Sequence, residues 1–284
     1  MKKYLENLKT KIKKIIYTIF FEKKIDNDFY KKQTYNQIIQ WISLYDKDPL
    51  KIVCSDKLKV KKYIEEKLNS DQFTPKTFIV AEDTVNLIKE IKQSPNHPKK
   101  YLIKANNDSG NIIKIDKNIP LLKDIKSIEN YKYRSYGIEK GEWFYSGIEY
   151  KCFTEEYLGD NISDYKVHCI NGEPQFCQII SDRGIGKPKE VVVDRKCEIL
   201  NFHLDTNFKY DKKFKKPQNW DIMMEISRKL SSGFKLVRVD LYNLDIECDN
   251  EKSIYVGELT FSPRTGRYKG SGQIEAGKLI SDLI

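Results

Sequence analysis

Two short stretches near the end of the chain carry side chains that could act on a phosphate. Arg238-Val239-Asp240 and Glu258-Leu259-Thr260 each lie in an apolar run typical of a strand. Side chains two residues apart share one face of a strand, so pairing of the two strands would bring two carboxylates, a hydroxyl and a guanidinium together. Hard oxygen ligands suit Mg²⁺, and the arginine suits the phosphate that the metal carries. The alternative is an acidic pair on a solvated hairpin.

A lysine at a strand end forms the second feature. Lys104 is followed by the turn Asn106-Asn107-Asp108-Ser109-Gly110. A turn of small residues can direct backbone N–H groups at a phosphate, with the lysine beside it. The alternative is an ordinary polar turn between two strands, which has no function.

The third feature is a segment that leaves a strand with its backbone groups free. Phe153 to Gly159 can offer donors and acceptors to a base, and the carboxylate of Asp164, followed by Lys166, can hold ribose hydroxyls. The alternative is an ordinary junction between a strand and a loop.

Helices and short strands must position the first two features. The apolar spacing predicts a helix from Tyr35 and a second helix from Ser55, its N-cap, to Leu68, with Asp56 in the first turn. A strand–helix–hairpin unit follows, and we expect a helical, tyrosine-rich stretch after it up to Trp143. This unit comprises strand 78–80, helix 84–91 and strands 101–104 and 111–115.

From Phe153 onward the pattern is mostly β. Asn171-Gly172 between two alternating runs is a strong hairpin signal. The predicted elements are strands 165–170, 175–181 and 191–193, helix 221–230, and a final strand pair, 234–241 and 253–260.

Composition narrows the class of protein. The 284 residues are 39% hydrophobic, which excludes disorder over most of the chain and allows one large or two modest domains. Of the net charge of +10, a large part comes from eight lysines against Glu6 and Glu22 in residues 1–24, so we predict no nucleic-acid partner. We also predict neither a transmembrane helix nor a secretory signal.

The six cysteines form no C-x-x-C pair, and with three histidines available no zinc spacing is present. Scattered thiols in a chain of this kind fit the reducing cytoplasm, where we expect the protein.

Residues 1–24 have the pattern of a basic amphipathic helix, with Leu5, Leu8, Ile12 and Ile19 on one face. Two interpretations stay open. The helix attaches to an anionic membrane surface on the inner face of the membrane, or it packs on its own domain with a solvated lysine face. The second is favoured.

Taken in order along the chain, these motifs resemble the ATP-grasp superfamily, and more closely its TupA-like branch, which is associated with surface polysaccharide and teichuronopeptide synthesis. The resemblance covers roughly residues 35 to 284. The final motif pair is also similar to the C-terminal half of D-alanine–D-alanine ligases. The matching stretches are 39–46, Ser55-Asp56-Lys57, Leu102-Ile103-Lys104, Asp108-Ser109-Gly110, Glu155-Glu156-Tyr157-Leu158, Asp164-Tyr165-Lys166, Ser181-Asp182-Arg183, Arg238-Val239-Asp240 and 257–263.

The resemblance implies an α+β fold in which two α+β subdomains clamp a nucleotide, preceded by a short helical region. The implied domains are a basic amphipathic and helical N-terminal region (1–54), an N-terminal ATP-grasp subdomain with the phosphate loop (55–152), and a C-terminal subdomain with the Mg²⁺ and ATP site (153–284).

The resemblance also implies roles for individual residues. Lys104 and Lys166 would contact ATP phosphates, and Ser109 and Gly110 would lie in the loop that closes over them. The remaining implied roles are adenine binding by Glu155, Glu156, Tyr157 and Leu158, ribose binding by Asp164, Mg²⁺ binding by Asp240, Glu258 and Thr260, and contact with transferred phosphate or acidic substrate by Arg183, Arg238 and Arg264.

Two residues depart from the pattern of the related ligases. Thr260 stands where they have asparagine, which leaves the second metal site open, and Arg264 stands where they usually have glycine. The helical region before the clamp is also short, so we expect a large acceptor carried on a polymer or lipid.

The activity implied is an ATP- and Mg²⁺-dependent carboxylate–amine ligase working through an acyl phosphate. It would attach an amino acid or amine to a uronic acid of a surface glycan or lipid-linked saccharide. A glycosyltransferase is the first alternative, because Asp26-Asn27-Asp28 and Asp46-Lys47-Asp48 match a D-x-D metal pattern. A degenerate ATP-grasp binding module and a sugar kinase also stay open.

Overall fold

The structure is a computed structural model that describes residues 34–108, 110–117, 119–132, 141–160, 162–182, 187–206 and 208–284. The predicted amphipathic helix of residues 1–24 and the Asp26-Asn27-Asp28 triplet lie outside the described residues, as do the site candidates Ser109 and Arg183.

Three helices come first. α1 (Tyr35–Tyr45) begins at a capping box formed by Thr34 and Gln37. α2 (Leu50–Ser55) and α3 (Lys59–Leu68) follow. The prediction that Ser55 caps the second helix is wrong. Ser55 ends α2, and the Asp56 carboxylate instead accepts from the first N–H groups of α3, at 2.9 and 3.4 Å.

The first sheet has four antiparallel strands in the order β1-β4-β2-β3. They are β1 (Thr77–Ala81), β2 (Lys100–Ala105), β3 (Ile113–Asp116) and β4 (Cys152–Glu156). The helix α4 (Thr84–Gln93) starts from the Asp83 side chain and packs on β1. Because β4 belongs to this sheet, the change of sheet follows Glu156, whereas the predicted domain boundary lies at 152/153.

Between β3 and β4 the chain forms α5 (Leu122–Ile125) and two 3-10 turns, Lys126–Tyr131 and Trp143–Gly147. Residues 133–140 of the predicted helical stretch lie outside the described part. No helix among the described residues is long and apolar enough to cross a bilayer.

The second sheet has the order β11-β10-β5-β6-β7-β8, and β9 pairs with β7. Asn171 and Gly172 both have positive φ, so the predicted β5–β6 hairpin turn is confirmed. The strands are β5 (Ser163–Ile170), β6 (Glu173–Ser181), β7 (Lys189–Asp194), β8 (Ile199–Leu200), β9 (Lys209–Tyr210), β10 (Leu236–Asn243) and β11 (Ile254–Thr260). Two further helices are α6 (Trp220–Ser231) and α7 (Gly272–Ile280).

The two faces of the second sheet have different roles, and β10 shows why. Val237, Val239 and Leu241 face the largest apolar cluster, to which α6 contributes. The alternate residues Arg238 and Asp240 therefore point to the opposite face. Burial of one face fixes the register and leaves the polar residues on the other face in a defined array.

Candidate functional site

The polar face of the second sheet brings the late motif residues into adjacent rows. In the β10–β11 pair Asp240 lies opposite Glu258 and Arg238 opposite Thr260. In the β5–β10 pair Lys166 lies opposite Asp240. The sequence prediction that Arg238, Asp240, Glu258 and Thr260 converge when their strands pair is confirmed in register, and Lys166 joins them from β5.

Asp240 is the centre of this array. Its Oδ1 accepts from Arg238 Nε at 2.5 Å, and its Oδ2 accepts from Arg238 Nη2 at 2.6 Å and from Lys166 Nζ at 2.8 Å. Burial would raise the pKa of Asp240, but the adjacent guanidinium and ammonium outweigh burial and lower this pKa well below its usual range. The carboxylate is thus held ionised by a buried bidentate pair.

Glu258 and Thr260 complete the array at its more open edge. The Thr260 hydroxyl donates to Glu258 Oε1 at 3.1 Å, and Arg238 Nη2 lies 3.5 Å from the same oxygen. The Glu258 side chain keeps 35% of its surface exposed, against 4% for Asp240. Glu258 is therefore the acidic group of this pair that an incoming ligand reaches first.

The donor types fit a hard divalent cation. Two carboxylates on paired strands and a hydroxyl beside one of them offer oxygen ligands only, as Mg²⁺ prefers. Among the described residues no group of three acidic, histidine or cysteine side chains forms a complete metal cage. Water and substrate phosphate would supply the remaining ligands, which is usual for Mg²⁺.

A second cationic cluster lies on the first sheet. Lys104 of β2 donates to Oε2 of Glu155, and Lys61 of α3 lies 2.7 Å from Oε1 of the same carboxylate. Burial would raise the pKa of Glu155, but the two lysines reverse the effect and lower it. One carboxylate thus holds two ammonium groups at the edge of residues 155–159, which contain the predicted adenine segment and which we call the hinge segment.

Lys57 joins the two sheets electrostatically. Its ammonium donates to the backbone carbonyl of Asp108, in the predicted phosphate loop. Burial lowers the pKa of Lys57, and the charge of Glu258 is the largest influence opposing that shift. The half-buried Lys57 therefore stands between the loop and the metal candidates.

A cleft of about 200 Å³ opens between the two sheets. The predicted adenine segment forms much of its wall, with Lys104 from the first sheet and Asp164 and Tyr242 from the second. The residues of the hinge segment that line it are Glu155, Glu156, Tyr157, Leu158 and Gly159. Gly110 has φ 96°, a value that favours glycine, and a Cβ added there would meet no atom within 4 Å, so the loop can turn tightly at this position.

Arg264 lies apart from the central array, against Asp205. Its Nη2 is 2.7 Å from Asp205 Oδ2, and half of the arginine side chain is exposed. Arg264, Thr265 and Gly266 have consecutive left-handed φ angles of 52°, 52° and 61°. Non-glycine residues in this region are strained, and such strain persists only where surrounding contacts hold it.

The contacts that hold this loop come from α1. Gln40 Nε2 donates to the Gly266 carbonyl at 2.8 Å, and the Asn36 side chain exchanges two hydrogen bonds of 2.9 Å with the Tyr268 backbone. The Ser262 hydroxyl donates to Ser43 Oγ at 3.0 Å. Helix α1 therefore positions the loop that presents Arg264.

Of the two D-x-D triplets behind the glycosyltransferase alternative, the structure describes Asp46-Lys47-Asp48. Asp46 accepts from the buried Lys51 at 2.7 Å, and Asp48 accepts from the Leu50 N–H at 2.9 Å. Both carboxylates stabilise the junction between α1 and α2, so they do not form a metal pair.

Lys57 and Lys61 have no role predicted from the sequence, although Lys57 belongs to the stretch Ser55-Asp56-Lys57 that resembles the ATP-grasp superfamily. No local signal marks them, because Lys57 lies in the turn before α3 and Lys61 lies within α3. Their roles appear only in the folded chain, where Lys61 meets Glu155 and Lys57 meets the phosphate loop.

Two mainly antiparallel sheets meet at a cleft that Lys104 lines, and paired acids lie on the second sheet. This arrangement fits the ATP-grasp class, whose members include ATP-dependent ligases. The model of the TupA-like ATP-grasp family matches residues 37–276, and the chain belongs to this family. Family and fold together support an ATP-dependent ligase. No curated protein matches the chain in sequence.

Solved structures of ligases resemble this chain. D-Ala-D-Ala ligase from Helicobacter pylori has a TM-score of 0.51 at 12% identity, over 90% of this chain and 70% of that one. D-Ala-D-Ala ligase from Bacillus anthracis gives 0.45 at 16% identity, over 81% and 66%. L-amino acid ligase from Bacillus licheniformis gives 0.46 at 12%, over 81% and 49%. The chain thus spans half to about two thirds of these proteins, and the likeness at such identities concerns the fold alone.

Proposed function

We propose that this protein is an ATP- and Mg²⁺-dependent carboxylate–amine ligase that works through an acyl phosphate. The observation that carries the proposal is the cross-strand array of Lys166, Arg238, Asp240 and Glu258 beside a cleft walled by Lys104 and the hinge segment. Cations to neutralise phosphate, acids to hold a metal and a partly apolar slot for a base are the parts that phosphoryl transfer needs.

In this proposal the nucleotide lies in the cleft. The backbone of Glu155–Leu158 faces adenine, the buried carboxylate of Asp164 accepts from ribose hydroxyls, and Lys104 and Lys166 contact the phosphates. Gly110 lies in the loop that covers the phosphates. Lys57 then gains a phosphate partner in exchange for the Asp108 carbonyl.

Asp240, Glu258 and Thr260 would hold Mg²⁺. The ion would neutralise negative charge on the phosphates. Arg238 keeps Asp240 ionised and oriented, and its own position between Glu258 and Thr260 lets it face the transferred phosphoryl group.

The chemistry has two steps. A substrate carboxylate oxygen attacks the γ-phosphorus, the bond to the β–γ bridging oxygen breaks, and ADP leaves with the electron pair. An amine nitrogen then attacks the acyl carbon, the bond to the phosphate oxygen breaks, and inorganic phosphate leaves as the amine loses a proton to solvent. Positioning and charge neutralisation supply most of the rate.

The substrate classes are an amino acid or small amine and a uronic acid of a surface glycan or lipid-linked saccharide. Support for an anionic substrate comes from the half-exposed guanidinium of Arg264, and from the family of the chain. We place this activity in the cytoplasm, in cell-surface polysaccharide biosynthesis.

Replacing the acidic ligands tests the proposal. Glu258→Gln should lower ATP turnover by about 100-fold or more, because one charge-stabilising group typically contributes that much. Asp240→Asn should do the same but also destabilises the fold, since it removes the negative charge that balances Arg238 and Lys166 most closely. ADP release with uronic acids and amines, together with the melting temperature, is the measurement.

Matched controls are Asp249→Asn and Glu275→Gln, which make the same chemical changes at exposed positions. They should retain turnover. If folded Glu258→Gln turns over ATP at the wild-type rate, the assignment of the metal site and of the ligase chemistry is wrong.

A further inference from the structure

Five exposed lysines lie within eight residues on and after β9, and we call residues 209–216 the basic strip. Only one acidic residue, Asp211, lies among them. The lysines are Lys209, Lys212, Lys213, Lys215 and Lys216.

These lysines differ from those of the candidate site. Lys61, Lys104 and Lys166 each lie within hydrogen-bond distance of a carboxylate. Within the ranges that the structure describes, none of the five strip lysines forms an ion pair. Like charges held close together repel one another and cost free energy in the isolated protein. A surface of this kind recovers that energy when it binds a polyanion.

The strip is part of the fold rather than a loose tail. Lys209 pairs with Lys189 in the parallel β7–β9 ladder. The Ser181 hydroxyl donates to Asp211 at 2.5 Å, and Phe214 packs against the main apolar cluster. The one acid is thus occupied as an anchor, and the lysines around it are displayed to solvent.

A chain of contacts links the strip to Arg264. Tyr210 lies edge-on to His203 with ring centroids 5.9 Å apart, and His203 Nδ1 is 3.0 Å from Glu190 Oε2. The other oxygen of Glu190 accepts from the Asp205 N–H, and Asp205 pairs with Arg264. The strip is therefore joined to Arg264 through His203 and the buried carboxylates of Glu190 and Asp205.

We propose that the basic strip binds a carboxylate-rich polysaccharide, the polymer that carries the acceptor group. The proposal rests on the proposed function, and it adds a second binding surface outside the reacting centre. The lysines on β9 and on the turn that follows it can meet carboxylates of a polymer, and Tyr210, 40% exposed, offers a ring face for a sugar. A chain held there can feed successive residues past Arg264.

The composition of the strip favours a glycan over other polyanions. Proteins that bind single-stranded nucleic acid combine positive charge with several aromatic platforms, and here one ring is exposed. A membrane-binding segment needs an apolar face to insert beside its lysines. The strip presents no exposed large aliphatic side chain in residues 209–216, all of which the structure describes.

The experiment measures binding of fluorescently labelled polygalacturonate by anisotropy, without nucleotide. It compares wild type with two quadruple Lys→Gln variants of equal net charge. The strip variant changes Lys212, Lys213, Lys215 and Lys216, and the control variant changes Lys89, Lys92, Lys123 and Lys126, exposed residues on the helical segments beside the first sheet.

The strip variant should bind polygalacturonate about tenfold more weakly, because exposed ion pairs each contribute a few tenths of a kcal/mol or more. The control should stay within about twofold of wild type. Raising the salt concentration should reduce the difference in affinity between wild type and the strip variant, since salt screens exposed charges. Equal losses in both variants would overturn the proposal, because they would reflect net charge alone.

Two competitors complete the test. Tighter binding of wild type to a single-stranded oligonucleotide of equal charge, or to anionic phospholipid vesicles, than to polygalacturonate would also overturn the proposal. ADP release with monomeric uronic acids separates the two proposals, because failure of the ligase function abolishes it in all three proteins. The strip variant should release ADP with monomeric uronic acids at the wild-type rate.

Discussion

The charged residues of the array are paired with one another in the absence of a ligand. Asp240 accepts from two cations, and Glu258 shares Arg238 and Thr260. A buried carboxylate with two cationic partners keeps its charge and its orientation, which is what a preorganised metal ligand needs. The cost of burying these charges is offset only while all members are present, so single substitutions act on both stability and function.

His168 offers a prediction of pH dependence at the same scale. It lies opposite Arg238, and its Nδ1 is 2.5 Å from the Tyr35 hydroxyl. Burial lowers the pKa of His168 well below 6.5, with Arg238 acting in the same direction and Asp240 opposing it. Between the folded and unfolded pKa the unfolded chain binds more protons, so stability is present above about pH 6.5 and falls as pH decreases.

Because His168 is protonated in the unfolded chain and not in the folded one, the free energy of unfolding should fall by about 1 kcal/mol between pH 7.5 and 5.5. The double variant Tyr35→Phe/His168→Phe removes both hydrogen-bonding partners and keeps two aromatic rings, so it should lose less stability over that interval. Urea unfolding at both pH values measures the difference. An unchanged pH slope would contradict the assignment of a buried neutral histidine.

At the scale of elements, local patterns predicted most strands and helices because each buries one face. The period-two alternation of β10 and the Asn171-Gly172 turn are signals within a few residues, and both appear in the fold. Ser55 failed as a cap because it is the last residue of α2, and the Asp56 carboxylate accepts from the N–H groups at the start of α3 instead. The Lys61–Glu155 contact joins residues 94 apart, which no local pattern encodes.

Helix α1 supports a prediction at this scale, because three of its side chains hold the 262–268 loop. Asn36→Ala/Gln40→Ala removes three hydrogen bonds to that loop, each contributing about 1 kcal/mol. Amide hydrogen exchange of the loop should accelerate by about tenfold or more, while β5 and β6 stay protected.

The amide-matched control Gln93→Ala/Asn96→Ala, at exposed positions, should leave the loop unchanged. Unchanged loop exchange in the α1 variant would show that the strained backbone is held by other contacts.

For the whole molecule, the two lobes, one built on each sheet, meet at a cleft rather than through one continuous sheet. Lys57 bonds to the loop of the first lobe and lies within the electrostatic influence of Glu258 in the second. A nucleoside triphosphate in the cleft would contact lysines and acids from both sheets at once. Its binding should therefore stabilise the protein as one unit.

That coupling gives the last prediction. ATP with Mg²⁺ at 100 times its Kd should add about 2.7 kcal/mol to the free energy of unfolding. In a domain of this size the melting temperature should rise by roughly 5–10 °C. A UDP-sugar at the same concentration should give no shift, because the described D-x-D pair is engaged between α1 and α2.

The variant Lys57→Met tests whether ATP contacts both lobes or only one of them. It removes the cation between the phosphate loop and Glu258, so the ATP-dependent shift should fall by at least half, whereas Lys59→Met, an exposed neighbour on α3, should keep the full shift. Differential scanning fluorimetry with and without EDTA provides the measurement. A larger shift with the UDP-sugar than with ATP would instead support glycosyl transfer, and an equal ATP shift in both lysine variants would remove Lys57 from the nucleotide site.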